Sequence, residues 1–509
     1  MQNMSKFWII FCGVFTLTQD AYSISIKMHY CTQSEQHCVL PSECPNSTSL
    51  ITSKQAELCG FHDEINENQR ICCNSTKNIV KTEKPELVVT SESTLVPNVP
   101  LHKEAQEEKR TVQDGLLSFG IKLNSILLEN NGGNKNILFS PYNLYTQLAL
   151  VHLGSNGTTR DTISNVLNIP ITFSPKSLQE VLKDFSTALQ TNTSLTYTAF
   201  QNWRFVKLTV KPSDLKLANG IFVQNEYRSK LKKKYVEDVQ LYQQSDIFNV
   251  DFASKGEEAK DTINKYIGNK TENKIPRLLE QPLAKDSLVV FTSCLYFKSA
   301  WQDKFNRDLT KAETFRTDKG NITVQMMHSS FMTGYVDEPS LGVQVVQLRY
   351  IDNAFSMFIG LPDENQSLKN VLRRLTSDQI RTIIGEAVRS THDYTVDLKL
   401  PQTAFKWSQS VKNELIKLGL KKEIWESPDL SNMIDQSNMT ISDIGHGTDI
   451  TINEEGTEAS AVSNLKFMYA KMKIVKTFHV NRPFFFFIYN HNIHTIMFFG
   501  TVFDPNSTK

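Results

Sequence analysis

The chain lacks the motifs that mark the common enzyme and nucleotide-binding classes. Its 509 residues contain no GxSxG nucleophile elbow, no HExxH helix, no glycine-rich phosphate loop and no dinucleotide fingerprint. An excess of charge is also absent, because 55 lysines and arginines oppose 54 aspartates and glutamates, for a formal net charge of +1. No overall preference for polyanions or polycations follows. We therefore expect a protein that is not an enzyme, binds no cofactor and has no nucleic-acid partner.

Long hydrophobic runs are scarce. The apolar run from Phe7 to Thr18 follows Lys6, and Ala21-Tyr22-Ser23 offers small residues at the spacing that a signal peptidase accepts. The run is too short to anchor a mature protein in a bilayer, and no other stretch of spanning length is free of charges. The sequence thus predicts a signal peptide over residues 1–23 and a secreted, extracellular protein with no membrane partner.

Cysteine is nearly confined to the front of the chain. Of eight cysteines, Cys12 lies in the predicted signal peptide, six lie between Cys31 and Cys73, and Cys294 stands alone. Six cysteines in a short secreted segment predict a disulfide-stapled module, here over residues 24–75. A zinc site is the competing interpretation, although no CxxC pair is present and secretion favours oxidation. Cys294 lies in an apolar run, which favours a buried core residue over a nucleophile.

Two further segments have a biased composition. Residues 76–112 are rich in Lys, Glu, Ser, Thr, Val and Pro without a lasting apolar period, which predicts a flexible linker. The charged residues 103–110 within it fit either a short helix or a solvated tether. A basic stretch, Arg228 with Lys230, Lys232, Lys233 and Lys234, fits either a sulfated-glycan site or a solvated helix face.

A segment near the C-terminus alternates in character like a strand that has yet to join a sheet. One face would carry small residues and then two large apolar ones: Thr457, Ala459, Ala461, Ser463, Leu465 and Phe467. Every charge between Thr457 and Met468 lies on the other face, and no Pro or Gly follows Gly456 to weaken a strand. The segment could enter a sheet interior, or it could be a surface loop that happens to alternate.

Fragments in a fixed order from about residue 113 onward resemble the serpin family. They are Asn136–Pro141, Leu153–Thr159, Leu217–Val223, Asn264–Ile267, Thr271–Ile275, Leu295–Lys298, Trp301, Met326–Met327, Leu361–Pro362, Asn453–Val462, Asn481–Phe486 and Phe498–Gly500. The resemblance implies an α+β serpin fold over residues 113–509, with a large, mainly antiparallel central β-sheet, further sheets, about nine helices and an exposed reactive-centre loop. It also implies a monomer that inhibits a serine protease.

The resemblance assigns roles within the loop. The hinge would comprise Glu455, Gly456, Thr457, Glu458, Ala459, Ser460 and Ala461. After a protease cuts the loop and forms an acyl-enzyme, the hinge would insert into the main sheet as a new strand and drag the protease along. We predict cleavage between Lys471 and Met472, with Lys473–Ile474 as the alternative, and both bonds imply a trypsin-like target. Cleavage after Ala470 or Met472 would instead imply an elastase-like or chymotrypsin-like target.

A sheet-opening network is implied in the same way. His446 falls where serpins place a histidine that hydrogen-bonds under the centre of the main sheet. Asn143 stands where the family usually has Ser, and Ser293 where it usually has Asn, an exchange that could preserve the hydrogen bonds with reversed roles. His491 and His494 are spaced like metal ligands, but their apolar surroundings favour a turn or strand-end pair, so no metal is expected.

The front cysteines resemble a clip domain. That resemblance implies the pairs Cys31–Cys72, Cys38–Cys59 and Cys44–Cys73, since sequence alone leaves fifteen connectivities open. Clip modules accompany secreted serine proteases of arthropods. The combination therefore suggests an inhibitor from arthropod haemolymph, acting on a clip-domain protease of an immune cascade such as melanisation or Toll activation, with a clip-domain protein as a further partner.

Asn-X-Ser/Thr sequons are frequent, which predicts a glycoprotein. They lie at Asn46, Asn74, Asn156, Asn192, Asn269, Asn321, Asn365, Asn438 and Asn506. Two other functions stay open at this point. The chain could be a non-inhibitory serpin that carries or stores a ligand, or a clip-mediated binding protein whose serpin domain is a passive scaffold.

Overall fold

The computed structural model of the chain divides into two compact units, Met1–Val96 and Pro97–Lys509. It describes residues 100–190, 195–201, 204–210, 213–243, 245–435, 439–457 and 474–507, with four short segments before them, and gives the backbone alone before residue 105 and for 195–210 and 423. Among the described residues, no helix combines the length and the apolar character needed to span a bilayer.

The first unit contributes two short antiparallel strand pairs. They are β1 (Cys12–Gly13) with β2 (Met28–His29), and β3 (Gln36–Val39) with β4 (Ile71–Asn74). Cys38 lies opposite Cys72 in the second pair. The six cysteine side chains of the predicted clip-like module, Cys31, Cys38, Cys44, Cys59, Cys72 and Cys73, lie outside the described residues, and their pairing stays a prediction.

Eleven α-helices occur in the described residues, against about nine expected from the sequence. They are α1 (Pro100–Asn130), α2 (Pro141–Gly154), α3 (Gly157–Leu167), α4 (Pro175–Gln190), α5 (Asn225–Arg228), α6 (Lys233–Gln243), α7 (Gly256–Lys270), α8 (Leu368–Arg374), α9 (Ser377–Arg389), α10 (Lys412–Leu418) and α11 (Glu423–Glu426). The expected number is corrected by α5 and α11. Each is a single turn, which is too short to leave a periodic signal in a sequence.

The strands of the second unit form four sheets within the described residues. They are β5 (Ile137–Phe139), β6 (Leu195–Gln201), β7 (Arg204–Val210), β8 (Asp214–Gln224), β9 (Asp246–Val250), β10 (Val289–Ala300), β11 (Lys311–Thr317), β12 (Gly320–Met332), β13 (Tyr335–Glu338), β14 (Val343–Arg349), β15 (Phe355–Pro362), β16 (Tyr394–Pro401), β17 (Thr403–Ser410), β18 (Ile441–Asn453), β19 (Gly456–Thr457), β20 (Ile474–His479), β21 (Phe484–Asn490) and β22 (Thr495–Val502).

The strand order of the large sheet is β17-β18-β19-β10-β8-β9. Its pairings are antiparallel except for β8 with β9 and β10 with β18, so the large, mainly antiparallel sheet predicted from the sequence is present. The other orders are β13-β14-β15-β21-β22-β5, β11-β12-β16-β20 and β6-β7.

Strand β10 runs through the middle of the large sheet and is buried on both faces. Phe291 and Phe297 pack into the main hydrophobic core, whereas Val290, Cys294 and Tyr296 face a second core that includes α7. This double burial explains the unbroken apolar run of its sequence. Cys294 is fully buried as expected, and burial raises the pKa of its thiol far above the usual range, so the thiol stays protonated.

Helix α2 lies beneath the large sheet and is buried nearly all round. Its N-cap is Ser140, whose Oγ accepts a hydrogen bond of 3.1 Å from the backbone N–H of Asn143, and Pro141 fills the first helical position. The helix packs against β10 and β22. The N-terminus of α2 is thereby fixed under the strands that would part to admit a new one.

Helix α1 begins earlier than the predicted domain boundary. It starts at Pro100, so the end of the segment assigned to a linker is helical. Val112 is fully buried, and Lys109 lies 3.8 Å from Asp184 and over the ring of Phe185 on α4. A helix held by such contacts propagates one turn after another toward its N-terminus, which local composition does not reveal.

Candidate functional site

The hinge enters the large sheet at the C-terminal end of β10. Strand β18 turns back at residues 454 and 455, and β19 then lies between β18 and β10, antiparallel to both. Beyond β19 the two neighbours pair directly with each other, Val289–Tyr296 against Ile441–Asp449 in parallel. The sheet therefore contains a slot between β10 and β18 that is occupied for two residues and closed for the rest.

Gly456 is required where the turn enters the slot. Its φ angle is +148°, and a Cβ atom there would lie 2.1 Å from the backbone oxygen of Ser299. Any side chain would collide with β10 and would adopt a disfavoured backbone conformation. The sequence-based assignment of Gly456 to the hinge thus has a steric reason.

Thr457 is the first hinge side chain that points into the core. It is fully buried, and its Oγ1 shares a hydrogen bond of 2.8 Å with the hydroxyl of Tyr350. The Tyr350 ring stacks on Trp301 at a centroid distance of 4.6 Å, and the indole N–H of Trp301 donates to the backbone oxygen of Asn453 at 2.9 Å. These contacts hold both ends of the turn that leads into β19.

The two carboxylates of the turn are held by partners from distant parts of the chain. Glu454 accepts hydrogen bonds from Thr310 Oγ1 at 2.6 Å and Gln402 Nε2 at 2.7 Å. Glu455 pairs with Lys304, whose side chain is 7% exposed, and with Arg307 Nη2 at 3.3 Å. Sequence reasoning missed all of these partners, because residues separated by fifty to 150 positions leave no local pattern.

Replacing Glu455 with alanine is expected to destabilise the intact protein by about 3 kcal/mol, because the buried Lys304 ammonium loses its counter-ion. Arg307 is the matched control: its side chain is 71% exposed, and Arg307→Ala should cost under about 1 kcal/mol. Urea unfolding of the two variants measures the difference. Equal costs would contradict the assignment of Lys304 as the buried partner.

His446 joins α2 to both strands at the slot. It is fully buried and lies directly opposite Ser293 in the β10–β18 pairing. Its Nε2 accepts from the backbone N–H of Ser140 at 2.9 Å, and its Nδ1 donates to the backbone oxygen of Ser293 at 2.6 Å. These partners fix a neutral imidazole with the proton on Nδ1. Separation of β10 from β18 would break the bond to Ser293.

Asn143 and Ser293 do not exchange their roles symmetrically. Ser293 contacts the His446 ring, with its Oγ 3.2 Å from Nδ1. The side chain of Asn143 is fully buried, yet neither its Nδ2 nor its Oδ1 has a hydrogen-bond partner among the described residues. The predicted network is therefore present through Ser293 and His446, while the Asn143 amide takes no part in it in the intact protein.

Burial of histidines predicts loss of stability in acid. Burial lowers the pKa of His446 to about 3 and those of His152 and His491 to about 4, whereas an unfolded histidine titrates near 6.5. The unfolded chain therefore binds these protons first, and the free energy of unfolding falls as the pH drops from about 6.5 toward 4. We expect His446→Gln to reduce this slope by about 1.4 kcal/mol per pH unit. Urea unfolding from pH 7.5 to 4.5 measures it, and an unchanged slope would contradict a buried neutral His446.

The far end of the loop leads into β20, whose first residue is Ile474. Within the described residues, β20 pairs with β16 alone and in parallel, at the edge of its sheet. Ile474 and Val475 are both 64% exposed. The predicted reactive-bond residues Lys471, Met472 and Lys473, and the hinge residues Glu458, Ala459, Ser460 and Ala461, lie outside the described residues.

The other candidate sites have ordinary structural surroundings. His491 Nε2 lies 2.8 Å from Ser356 Oγ, and His494 Nδ1 lies 3.2 Å from the Tyr489 hydroxyl, so each ring has its own partner. Within the part of the chain that the structure describes, no cluster of three or more His, Cys, Asp or Glu is placed to hold a metal.

The basic stretch is largely paired with carboxylates. Lys232 lies 2.8 Å from Asp435, Lys233 3.6 Å from Glu237 and Lys234 2.9 Å from Asp238, while the ammonium of Lys230 lies over the Tyr227 ring. These pairs correspond to the solvated helix face considered above and weaken the field that a sulfated glycan would meet.

Five sequon asparagines are exposed among the described residues and so are accessible to glycosylation. They are Asn156, Asn269, Asn321, Asn365 and Asn506. The side chains of Asn46, Asn74, Asn192 and Asn438 lie outside the described residues.

Comparison with known proteins agrees with this geometry. The model of the family described as "Serpin (serine protease inhibitor)" matches residues 114–505. The leukocyte elastase inhibitor of Xenopus tropicalis is 29% identical over 382 residues, covering 74% of this chain and 95% of its own. Intracellular coagulation inhibitor 2 of Tachypleus tridentatus is 29% identical over 413 residues, covering 81% of this chain and 95% of its own. Human thyroxine-binding globulin has a similar structure, with a TM-score of 0.68 at 21% identity, covering 79% of this chain and 100% of its own.

Proposed function

The chain belongs to the serpin family of serine protease inhibitors, and from this premise we propose that it traps a trypsin-like serine protease and is consumed with its target. The observation that carries the proposal is the position of Gly456 and Thr457, which already pair with both β10 and β18. A loop whose first two residues occupy the slot needs only to continue along it.

The proposed reaction begins as ordinary proteolysis. The serine of the protease attacks the carbonyl carbon of Lys471, the peptide bond to Met472 breaks, and the amine of Met472 leaves with the proton delivered by the protease histidine. Lys471 is then held as an ester on the protease. The freed segment of about fifteen residues enters the slot and carries the protease roughly 50 Å at about 3.3 Å per residue, before water releases the ester.

The register of β19 supports such insertion. Thr457 lies opposite Ser299 on β10 and opposite Ile452 on β18. If both antiparallel registers continue, the inward-facing residues meet these pairs of neighbours on β10 and β18: Ala459 with Phe297 and Ile450, Ala461 with Leu295 and Thr448, Ser463 with Ser293 and His446, and Leu465 with Phe291 and Ile444. Small residues thus fall beside large buried ones, and the two strands need not be rebuilt to accept them.

Insertion is also favoured by hydrogen bonding. It exchanges one parallel ladder between β10 and β18 for two antiparallel ladders along the new strand. Each additional ladder bond is worth about 1 kcal/mol. Burial of Leu465 and Phe467 adds about 1.5 to 3 kcal/mol for each side chain.

Trypsin provides the direct test. Mixed with the full-length chain, it should form an ester-linked complex that survives boiling in detergent, and the released peptide should begin at Met472. Trypsin with its catalytic serine replaced by alanine is the matched control and should form no such complex. Complete cleavage of the loop with release of active trypsin would contradict the proposal.

The front of the chain suggests the setting. We extend the proposal to a secreted glycoprotein with a clip-like module over residues 24–75, from an arthropod fluid in which clip-domain proteases are the targets. Support comes from the N-terminal apolar run and the cysteine spacing. Deleting residues 24–96, which leaves α1 intact, should preserve inhibition of trypsin. Loss of inhibition would favour the alternative in which the clip-like module is the functional part.

A ligand carrier is the other alternative. Human thyroxine-binding globulin, as its name says, binds thyroxine, but at 21% identity its likeness supports the fold alone. The small residues of the predicted hinge favour inhibition, because a carrier has no need for a segment fitted to a sheet interior. A carrier would be cut in the loop without trapping the protease.

A further inference from the structure

Two buried amides on α2 lack partners in the intact protein. Asn143 and Gln147 are both fully buried, and none of their four side-chain nitrogen and oxygen atoms is hydrogen-bonded within the described residues. Buried polar side-chain atoms are paired in the large majority of cases, so such a pair of amides calls for an explanation. The two residues lie four positions apart and therefore share one face of the helix.

Asn143 lies next to the closed part of the slot. Its backbone N–H donates to Ser140 Oγ, and the backbone N–H of Ser140 donates to the ring of His446. His446 in turn faces Ser293 across the boundary where β10 and β18 must part. The amide of Asn143 is thus within one helical turn of the contact that insertion breaks.

Continuation of the β19 register places one hydroxyl at this level. The residue that would stand between Ser293 and His446 is Ser463, six positions after Thr457. Even spacing keeps Ser463 on the same face as Thr457, which points into the core that contains α2 residues. Ser463 is the polar member of an inward-facing row whose next two residues are Leu465 and Phe467.

We propose that the Asn143 amide is reserved for the inserted strand and that Ser463 is its partner. Asn143 is then a positioning residue that acts only after the loop is cut, because its hydrogen bond forms only when the hydroxyl arrives. A hydroxyl both donates and accepts, so it can satisfy either end of the amide. The inference rests on the proposed function, since it requires that the loop insert.

The test uses full-length protein and measures how much inhibitor is consumed for each trypsin inactivated. Loss of one hydrogen bond of ordinary strength should slow insertion by up to about fivefold. The acyl-enzyme then has more time to hydrolyse, and the excess of inhibitor over inactivated trypsin rises by up to the same factor. We expect this rise for Ser463→Ala, for Asn143→Leu and, without further increase, for the double variant. The rate of the initial attack should not change.

Matched variants separate this role from a general structural one. Ser463→Thr keeps the hydroxyl and should restore the wild-type ratio. Ser460→Ala removes a hydroxyl from the opposite face and should have no effect. Asn143→Leu keeps the side-chain volume and should not lower the melting temperature of the intact protein, because no hydrogen bond is lost there.

The two levels of the account can fail separately. Effects of Ser463→Ala and Asn143→Leu that simply add, or that are both absent, would overturn the pairing while leaving the trap intact. Wild-type protein that is cut by trypsin without forming an ester-linked complex would overturn the proposed function itself.

Discussion

Replacement of Lys471 with alanine is expected to slow the inactivation of trypsin by about three to four orders of magnitude. A trypsin-like protease binds lysine in a pocket whose floor carries an acidic group, and a pocket built for a polar partner rejects a side chain without it by factors of this size. The change should appear in the second-order rate constant for inactivation. The fold should be unaffected, because Lys471 follows the hinge and does not belong to the proposed inserted row.

Lys473→Ala is the matched control and should leave the rate constant within about tenfold. The reverse pattern, with Lys473 sensitive and Lys471 tolerant, would move the reactive bond to Lys473–Ile474. Tolerance of both replacements would contradict a lysine-directed target. It would favour a cut after Ala470 or Met472 by a protease of another specificity.

Replacement of Thr457 with arginine is expected to convert the inhibitor into a substrate. Thr457 is fully buried against Tyr350, and no space for a guanidinium exists between β10 and β18. Burial of an unpaired charge costs several kcal/mol, which would slow insertion at least about a hundredfold. Hydrolysis of the ester then overtakes trapping. Gel analysis should show cleaved inhibitor in place of the detergent-resistant complex.

Glu458→Arg provides the control for charge and size. Continuation of the register places residue 458 opposite Lys298 and Thr451, both of which are partly exposed, so arginine there can reach solvent. This variant should still form the complex. Equal failure of Thr457→Arg and Glu458→Arg would mean that burial at Thr457 does not control insertion.

Much of the fold could be predicted because its signals are local. The apolar run at Val289–Ala300 predicts a strand buried on both faces, and Ser140-Pro141 predicts the start of the helix beneath it. The hinge assignment began from the alternation after Gly456, and the structure adds the steric reason for that glycine. Each of these inferences needs only residues that are neighbours in the chain.

The contacts that hold the hinge could not be predicted in this way. Lys304 reaches Glu455 across 151 positions, and Gln402 reaches Glu454 across 52. A lone lysine or glutamine in a sequence gives no sign of its burial or its partner. The start of α1 at Pro100 was missed for a related reason, because packing onto α4 outweighs the composition of a charged, linker-like segment.

The intact sheet therefore combines a started insertion with a closed remainder. Thr457 has taken its place in the core, while His446 still bridges the strands below it through Ser293. Cutting the loop removes the tether that keeps the rest of the segment out of the slot. On this account, cleavage supplies freedom of movement, and the sheet supplies the driving force.

The melting temperature of the protein before and after cleavage within the loop tests this central claim most directly. Insertion of a full strand is worth on the order of 10 kcal/mol by its added ladder bonds, which corresponds to a rise of roughly 20 °C or more. Cleaved protein that unfolds at the same temperature as the intact form would contradict the account.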